Sequence, residues 1–294
     1  MYRYLSQCTG AAGISRRMVV GMVVKNDISG INNARTLQMS RQAQQKSMEK
    51  LSSGNKINRS ADDASGLSIS EKMVKQIQSL NKAIDNAGDG TSMVQTADGA
   101  MNEVGDMLQR LNELAVQGAN GTLTGSERAA VNDEANQILA DIDRIGGSTK
   151  FNELHLMEGG SADVQAGADN AGSNRITVRT EQMNAKSLGI DGVNLSTAEG
   201  ARAALTTVND AIKKLSDQRS TLGATQNRMG YSSRNLQNVV ENTTAAQSRV
   251  KDTDMASELI KKRRAEMSHQ AGLAMMRQNN AARAAQNSIF NSQV

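Results

Sequence analysis

A mainly α fold, a long antiparallel helical bundle or coiled coil with a small central β-hairpin region, is predicted by three observations. Leu205, Val208, Ile212, Leu215, Arg219, Leu222, Gln226, Met229, Ser233, Leu236, Val240, Thr243, Gln247 and Val250 follow one another at alternating intervals of three and four without a slip, which is a heptad seam. The 294-residue chain has no proline, where average usage of about 5% would supply roughly 15. Between Phe151 and Leu195 glycine and asparagine accumulate and the periodicity drops to two.

Residues 1–21 differ in texture from everything downstream, and Met22 opens the regular pattern. Met22 is therefore expected to be the true start, with 1–21 an over-extended leader that carries the single cysteine, Cys8. One cysteine cannot form an intramolecular disulfide. Arg16-Arg17 before the run Met18–Val24 imitates a secretory signal, but no small-residue cleavage site follows and Lys25-Asn26-Asp27 interrupts the run. From Asn26 to Ser53 the chain is polar and helix-prone, with Leu37, Met48 and Leu51 among its few large apolar residues. Such a helix buries too little to offset its ordering entropy alone. Gly54-Asn55 is placed to form a left-handed C-cap.

Ser60-Ala61-Asp62-Asp63 reads as a capping box that opens a long helix with the seam Val74, Ile77, Leu80, Ile84, Ala87, Thr91, Val94, Ala97, Met101, Val104, Leu108, Leu111 and Ala115, stopped at Asn120-Gly121. A second box, Thr124-Gly125-Ser126-Glu127, starts a helix carrying Val131, Ile138, Ile142 and Ile145 that ends at Gly146-Gly147. Arg175–Arg179 alternates polar and apolar as a half-buried strand should, with Leu154–Leu156 and Asp163–Gln165 as weaker strands. One or two hairpins are expected to cap the end of the bundle. Ser196-Thr197-Ala198-Glu199 is a third box, and the helix it opens, with the Leu205–Val250 seam spanning about 69 Å at about 1.5 Å per residue, must lie against the first long helix to bury its stripe. Asp252-Thr253-Asp254 reads as a joint before a last weakly amphipathic helix, whose Leu259, Ile260, Met267, Leu273, Met275 and Met276 are expected to pair with the N-terminal helix.

Charge is uneven: +8 over residues 1–60, −7 over 61–250 and +3 over 251–294. With aromatic residues at 2%, the basic ends lack stacking groups and read as solvated faces or guides toward an acidic neighbour, not as a nucleic-acid surface. No apolar run reaches the roughly 18 residues of a membrane span. His155 and His269 stand apart without partners at metal-ligand spacing. No GxGxxG, Walker loop or GxSxG occurs, and capping accounts for Asp62-Asp63, so neither an enzyme nor a cofactor site is expected.

Specific motifs then carry a family resemblance. Leu51-Ser52-Ser53-Gly54, Ala61-Asp62-Asp63-Ala64-Ser65-Gly66-Leu67, Leu108 to Gln117, Val164-Gln165-Ala166-Gly167-Ala168, Leu222 to Arg228 and Ser248 to Ala256 make residues 22–294 resemble a bacterial flagellin. The resemblance implies paired terminal helices, 22–56 and 252–294, as an inner filament core. It implies a helical rod of 57–150 and 196–251, with 151–195 as the small β-region of the rod domain. The interval from Phe151 to Leu195 is too short for a large outer domain, so the chain resembles the minimal, core-only type.

The same resemblance implies a homopolymer, exported unfolded and added head-to-tail to an extracellular filament for motility. An export chaperone, the filament cap and the hook-junction proteins are its implied partners. A host Toll-like receptor for flagellin is another, through a patch of Gln109, Arg110, Glu113 and Leu114 with Glu134 on the adjoining helix. The end Gln286 to Val294, with Arg263-Arg264, Arg277 and Arg283, is less apolar and more basic than the family's usual terminus. A hook–filament junction protein shares such ends, and a cytoplasmic signalling coiled coil would share the heptads and the lack of proline but not the β-region or the basic ends.

Overall fold

The protein is described here by a computed structural model that places residues 28–291. The leader 1–21 with Cys8, the start at Met22 and the end Ser292-Gln293-Val294 lie outside the described residues. The described chain divides into two units, one made of the residues up to Asn58 and those from Thr253 onward, the other of Arg59–Asp252.

In the Arg59–Asp252 unit, helices α2 (Ala64–Gly118) and α5 (Ala198–Lys251) run antiparallel. Gly118 meets Ala201, Gly90 approaches Met229, and Leu80 packs with Leu236. The buried seam of α5 is Ala201, Ala204, Val208, Ala211, Leu215, Gln218, Leu222, Thr225 and Met229. Half of the expected seam is therefore displaced by one residue. Leu205, Ile212, Arg219 and Gln226 are only half-buried, and the smaller Ala204, Ala211, Gln218 and Thr225 occupy the inner positions. Small side chains there let α2 come close, while Leu205 and Ile212 pack on the core's flank. Arg219 meets its half-buried position with an ion pair across the seam, its Nε 2.9 Å from Asp98 Oδ1.

Helix α3 (Gly125–Ser148) begins with the expected capping box: Thr124 accepts from the Glu127 N–H, and the Glu127 carboxylate accepts from the Thr124 N–H at 2.8 Å. The other two boxes are corrected. Asp63, not Ser60, is the N-cap of α2, accepting from Gly66 N–H at 2.9 Å, because Asp62 is engaged in the preceding turn, where it accepts from the Arg59 N–H. Thr197, not Ser196, caps α5 through the Gly200 N–H at 3.1 Å. Helix α3 packs on α2 through Val131, Ala135, Leu139 and Ile142, while Ile138 and Ile145 sit at the margin.

Two antiparallel hairpins follow. Strands β1 (Lys150–Phe151) and β2 (Leu154–His155) are joined by Asn152 and Glu153, both at positive φ, 44° and 70°, the conformation of a tight primed turn. Strand β3 (Glu158–Gln165) pairs with β4 (Arg175–Gln182), placing Val164 opposite Ile176 and Ala162 opposite Val178. The larger hairpin lies along the side of the α2–α5 pair, not at its end as expected. Gly90, near the middle of α2, leaves room for Val164, whose Cγ2 would stand 2.9 Å from any Cβ there. On α5, buried Gln218 donates to the Arg179 carbonyl at 2.9 Å.

The chain returns to α5 through the short helix α4 (Ala185–Leu188). Two α3 side chains hold the return, Asp143 accepting from Ala185 N–H and Asn132 from Leu195 N–H, both at 2.8 Å.

The other unit pairs α1 (Ile28–Ser53) with α6 (Met255–Asn291). Gly54, at φ +71°, closes α1 with a bond from its N–H to the Lys50 carbonyl, a left-handed cap that glycine adopts without a Cβ penalty. Asp254 opens α6 by accepting from the N–H groups of Ala256 and Ser257.

Candidate interface surfaces

On α2, residues spaced by three and four share a face, which puts Arg110, Glu113 and Gln117 in one row beside Gln109 and Val116. Arg110 is the centre of this face. Its Nε and Nη2 reach Glu134 Oε1 at 2.9 and 2.7 Å, and its Nη1 reaches Glu113 Oε2 at 3.1 Å. The hydrogen bonds to Glu134 and then Glu113 hold the guanidinium proton still more firmly than usual. Three of its five N–H groups are thus used to fix the plane of the fork, and two remain for an outside acceptor. Gln109, Arg110 and Glu113 are exposed and Glu134 half-buried.

Leu114 does not join them. It is 1% exposed and belongs to the core with Leu108 and Leu111, so it supports the face from beneath and cannot be touched from outside. The expected seam steps from Leu111 to Ala115, so its three-and-four rhythm does not mark Leu114 as buried. Val116, 58% exposed, is the apolar side chain that this face does present, and sequence reasoning passed over it. Arg128 was also missed. From α3 it donates to the carbonyls of Gly118, Asn120 and Leu123, fastening the α2–α3 loop beside the patch.

The terminal pair presents a different surface. The less exposed positions of α1 include Asn33, Leu37, Ser40, Gln44, Ser47 and Leu51, and those of α6 include Glu258, Lys262, Ala265, His269, Gly272 and Met276. Both sets keep three- and four-residue spacing, but the seam is mostly polar. Ser47 Oγ donates to Glu258 Oε1 at 2.7 Å, Lys261 reaches Glu258 Oε2 at 3.0 Å, and Arg41 donates to His269 Nε2 at 2.9 Å. Leu37 packs against Gly272.

The apolar residues expected to pair the two helices mostly face outward. Met48, Leu259, Ile260, Met267 and Met275 are exposed, and nine of the thirteen exposed large hydrophobics among the described residues belong to this unit. Among the described residues no cluster of His, Cys, Asp or Glu could hold a metal ion, and no helix is long and apolar enough to cross a membrane.

A long antiparallel helical rod with a lateral hairpin, and a terminal helix pair that carries most of the exposed large hydrophobics among the described residues, define an elongated-helix class of protein. Comparison with known proteins narrows this class. The bacterial flagellin N-terminal helical region matches residues 24–162, and the bacterial flagellin C-terminal helical region matches 205–288. Flagellin of Halalkalibacterium halodurans is 38% identical over 261 residues, covering 88% of this chain and 96% of its own. The flagellar filament core protein flaB2 of Brachyspira hyodysenteriae is 39% identical over 274 residues, with the same 88% and 96% coverage. The crystal structure of Bacillus cereus flagellin is 28% identical, covering 52% of this chain and 88% of its own with a TM-score of 0.46. The chain belongs to the bacterial flagellin family, whose role is structural, as a subunit of the flagellar filament.

Proposed function

We propose that this chain is exported to the cell exterior and adds head-to-tail to a growing filament, so that its function is that of a rigid propeller for motility. The observation that carries the proposal is the terminal pair, whose seam is polar while nine large apolar residues face solvent. Exposed apolar surface on that scale marks an association site, and association supplies the burial that the pair lacks on its own. A heterologous contact that does not close generates an open helical assembly. In that assembly residues 22–56 and 252–294 form the inner core and the rod of 57–150 and 196–251, with its β-region 151–195, the surrounding layer. Export chaperone, filament cap and hook-junction proteins are its partners along the way.

The test is electron microscopy of the chain under precipitating salt with short filament seeds, beside a chain lacking residues 22–56 and 252–294. Long filaments from the first and none from the second are expected. Filaments from both would remove the terminal helices from the mechanism, and filaments from neither would favour a junction role.

The Arg110 face supports a second role within the same proposal, recognition by the host Toll-like receptor for flagellin. An arginine fixed in plane by two carboxylates, with donors to spare and exposed Gln109 and Val116 beside it, is the type of anchor found at interface hot spots. Arg110→Ala should abolish receptor binding without impairing the fold. Unchanged binding would overturn this role and leave the filament role standing.

A further inference from the structure

Methionine is divided between the two units by exposure. In the Arg59–Asp252 unit Met93, Met101, Met157, Met183 and Met229 are all at most 6% exposed, and Met73 and Met107 are half-buried, as is Met276 of the terminal unit. In the terminal unit Met39, Met48, Met255, Met267 and Met275 are between 49% and 64% exposed. All five exposed methionines of the described residues therefore lie on the surface assigned above to self-association, among Ile28, Ile31, Leu259 and Ile260.

The side chain's chemistry gives this division a consequence. Methionine is flexible and adapts to irregular partner surfaces, which suits a docking face. Its thioether also accepts an oxygen atom, and solvent access decides which sulfurs react. A peroxide delivers that atom: the O–O bond breaks, an S=O bond forms, the sulfur gives up two electrons, and water leaves. The product is a polar, chiral side chain in place of an apolar one.

We propose that Met39, Met48, Met255, Met267 and Met275 form a sulfoxidation site through which peroxide blocks self-association of the unassembled chain. The proposal rests on the self-association reading above. Each sulfoxide sets a polar S=O group where burial against the neighbouring subunit requires an apolar one. The rod unit, with five of its seven methionines buried and none exposed, keeps its fold through the same exposure. Once assembled, the five sulfurs are covered, so the filament resists the oxidant that disables its free subunits. Methionine sulfoxide reductases, one for each epimer, reverse the block.

The experiment treats full-length monomer with hydrogen peroxide, maps added oxygen by peptide mass spectrometry, and measures the critical concentration for seeded polymerisation. Sulfoxide is expected at the five terminal positions before Met93, Met101, Met157, Met183 and Met229. The critical concentration should rise by about tenfold or more for each lost methionine contact and return after treatment with both reductases. Preformed filaments should show the five positions protected. A chain carrying Met39→Leu, Met48→Leu, Met255→Leu, Met267→Leu and Met275→Leu keeps the apolar surface and should polymerise equally with or without peroxide.

Oxygen spread evenly over both units, or normal polymerisation of monomer oxidised at the five positions, would overturn the proposal. So would a peroxide effect that persists in the leucine variant, which retains Cys8. Failure of untreated chain to polymerise would instead overturn the self-association reading, while the monomer's oxidation map would still decide which sulfurs react.

Discussion

Glu258 is the only charged side chain buried among the described residues, at 5% exposure. Burial on its own would raise its pKa, but the Ser47 hydroxyl and the Lys261 ammonium outweigh it and hold the carboxyl below its ordinary 4.5. A depressed carboxylate contributes stability that is present above its unfolded value and is lost as the pH falls through its folded value. Helicity of the terminal pair should therefore decline on acidification below about pH 4.5, measured by circular dichroism on the whole chain. Glu258→Gln should be less stable at neutral pH and show a weaker acid dependence. Ser47→Ala removes a hydrogen bond to a charged group and should cost about 2 kcal/mol in urea titration. By sequence, Leu259 and Ile260 are expected to face the N-terminal helix, and no local pattern shows that the Glu258 carboxylate meets Ser47, a partner 211 residues away.

Among the elements, α2 shows how the same substitution can change sign within one turn. Alanine in place of an exposed helical glycine stabilises by about 0.5–1 kcal/mol, and Gly88 has open space around it, so Gly88→Ala should raise the denaturation midpoint. At Gly90 a Cβ would stand 2.8 Å from Met229 Sδ and 2.9 Å from Val164 Cγ2. Met229 can shift, but Val164 is β-branched and held in a paired strand, so overpacking of about 1–3 kcal/mol should make Gly90→Ala destabilising. At the start of α3, Thr124→Ala should cost about 1 kcal/mol in the same titration. That cap was legible in the sequence because Thr124 and Glu127 satisfy each other's backbone groups. At the start of α5 the adjacent Ser196 and Thr197 could each cap, and at the start of α2 the cap falls on Asp63, three residues beyond the expected Ser60.

For the whole molecule, the contrast between the two units predicts how the chain comes apart. The rod unit has a large apolar core running through α2, α3, α5 and both hairpins, and a smaller one of Leu80, Ala83 and Leu236. The terminal pair meets along a mostly polar seam, with hydrogen bonds from Ser47 to Glu258 and from Arg41 to His269 across it, so its opening should require much less free energy. Limited proteolysis of the monomer should remove both ends and leave a fragment close to Arg59–Asp252, read by mass spectrometry. Polymerised chains should resist the same cleavage. Equal survival of the ends in the monomer would contradict the weakness assigned to the polar seam.

By itself the sequence determined the five long helices, their approximate limits, the Thr124 cap and parts of strands β2, β3 and β4. Each follows from local spacing or from short-range backbone chemistry. Tertiary structure decided which neighbour in a stripe faces inward. Ala204 and Ala211 displaced Leu205 and Ile212 because close helix approach rewards a small side chain that hydrophobicity alone ranks low. It also set the hairpin along the rod, where Gly90 leaves room, and buried Leu114 beneath the face it was expected to share. The outward methionines of the terminal pair were settled the same way. Periodicity records that a stripe exists, whereas only the partner surface determines which side of it is covered.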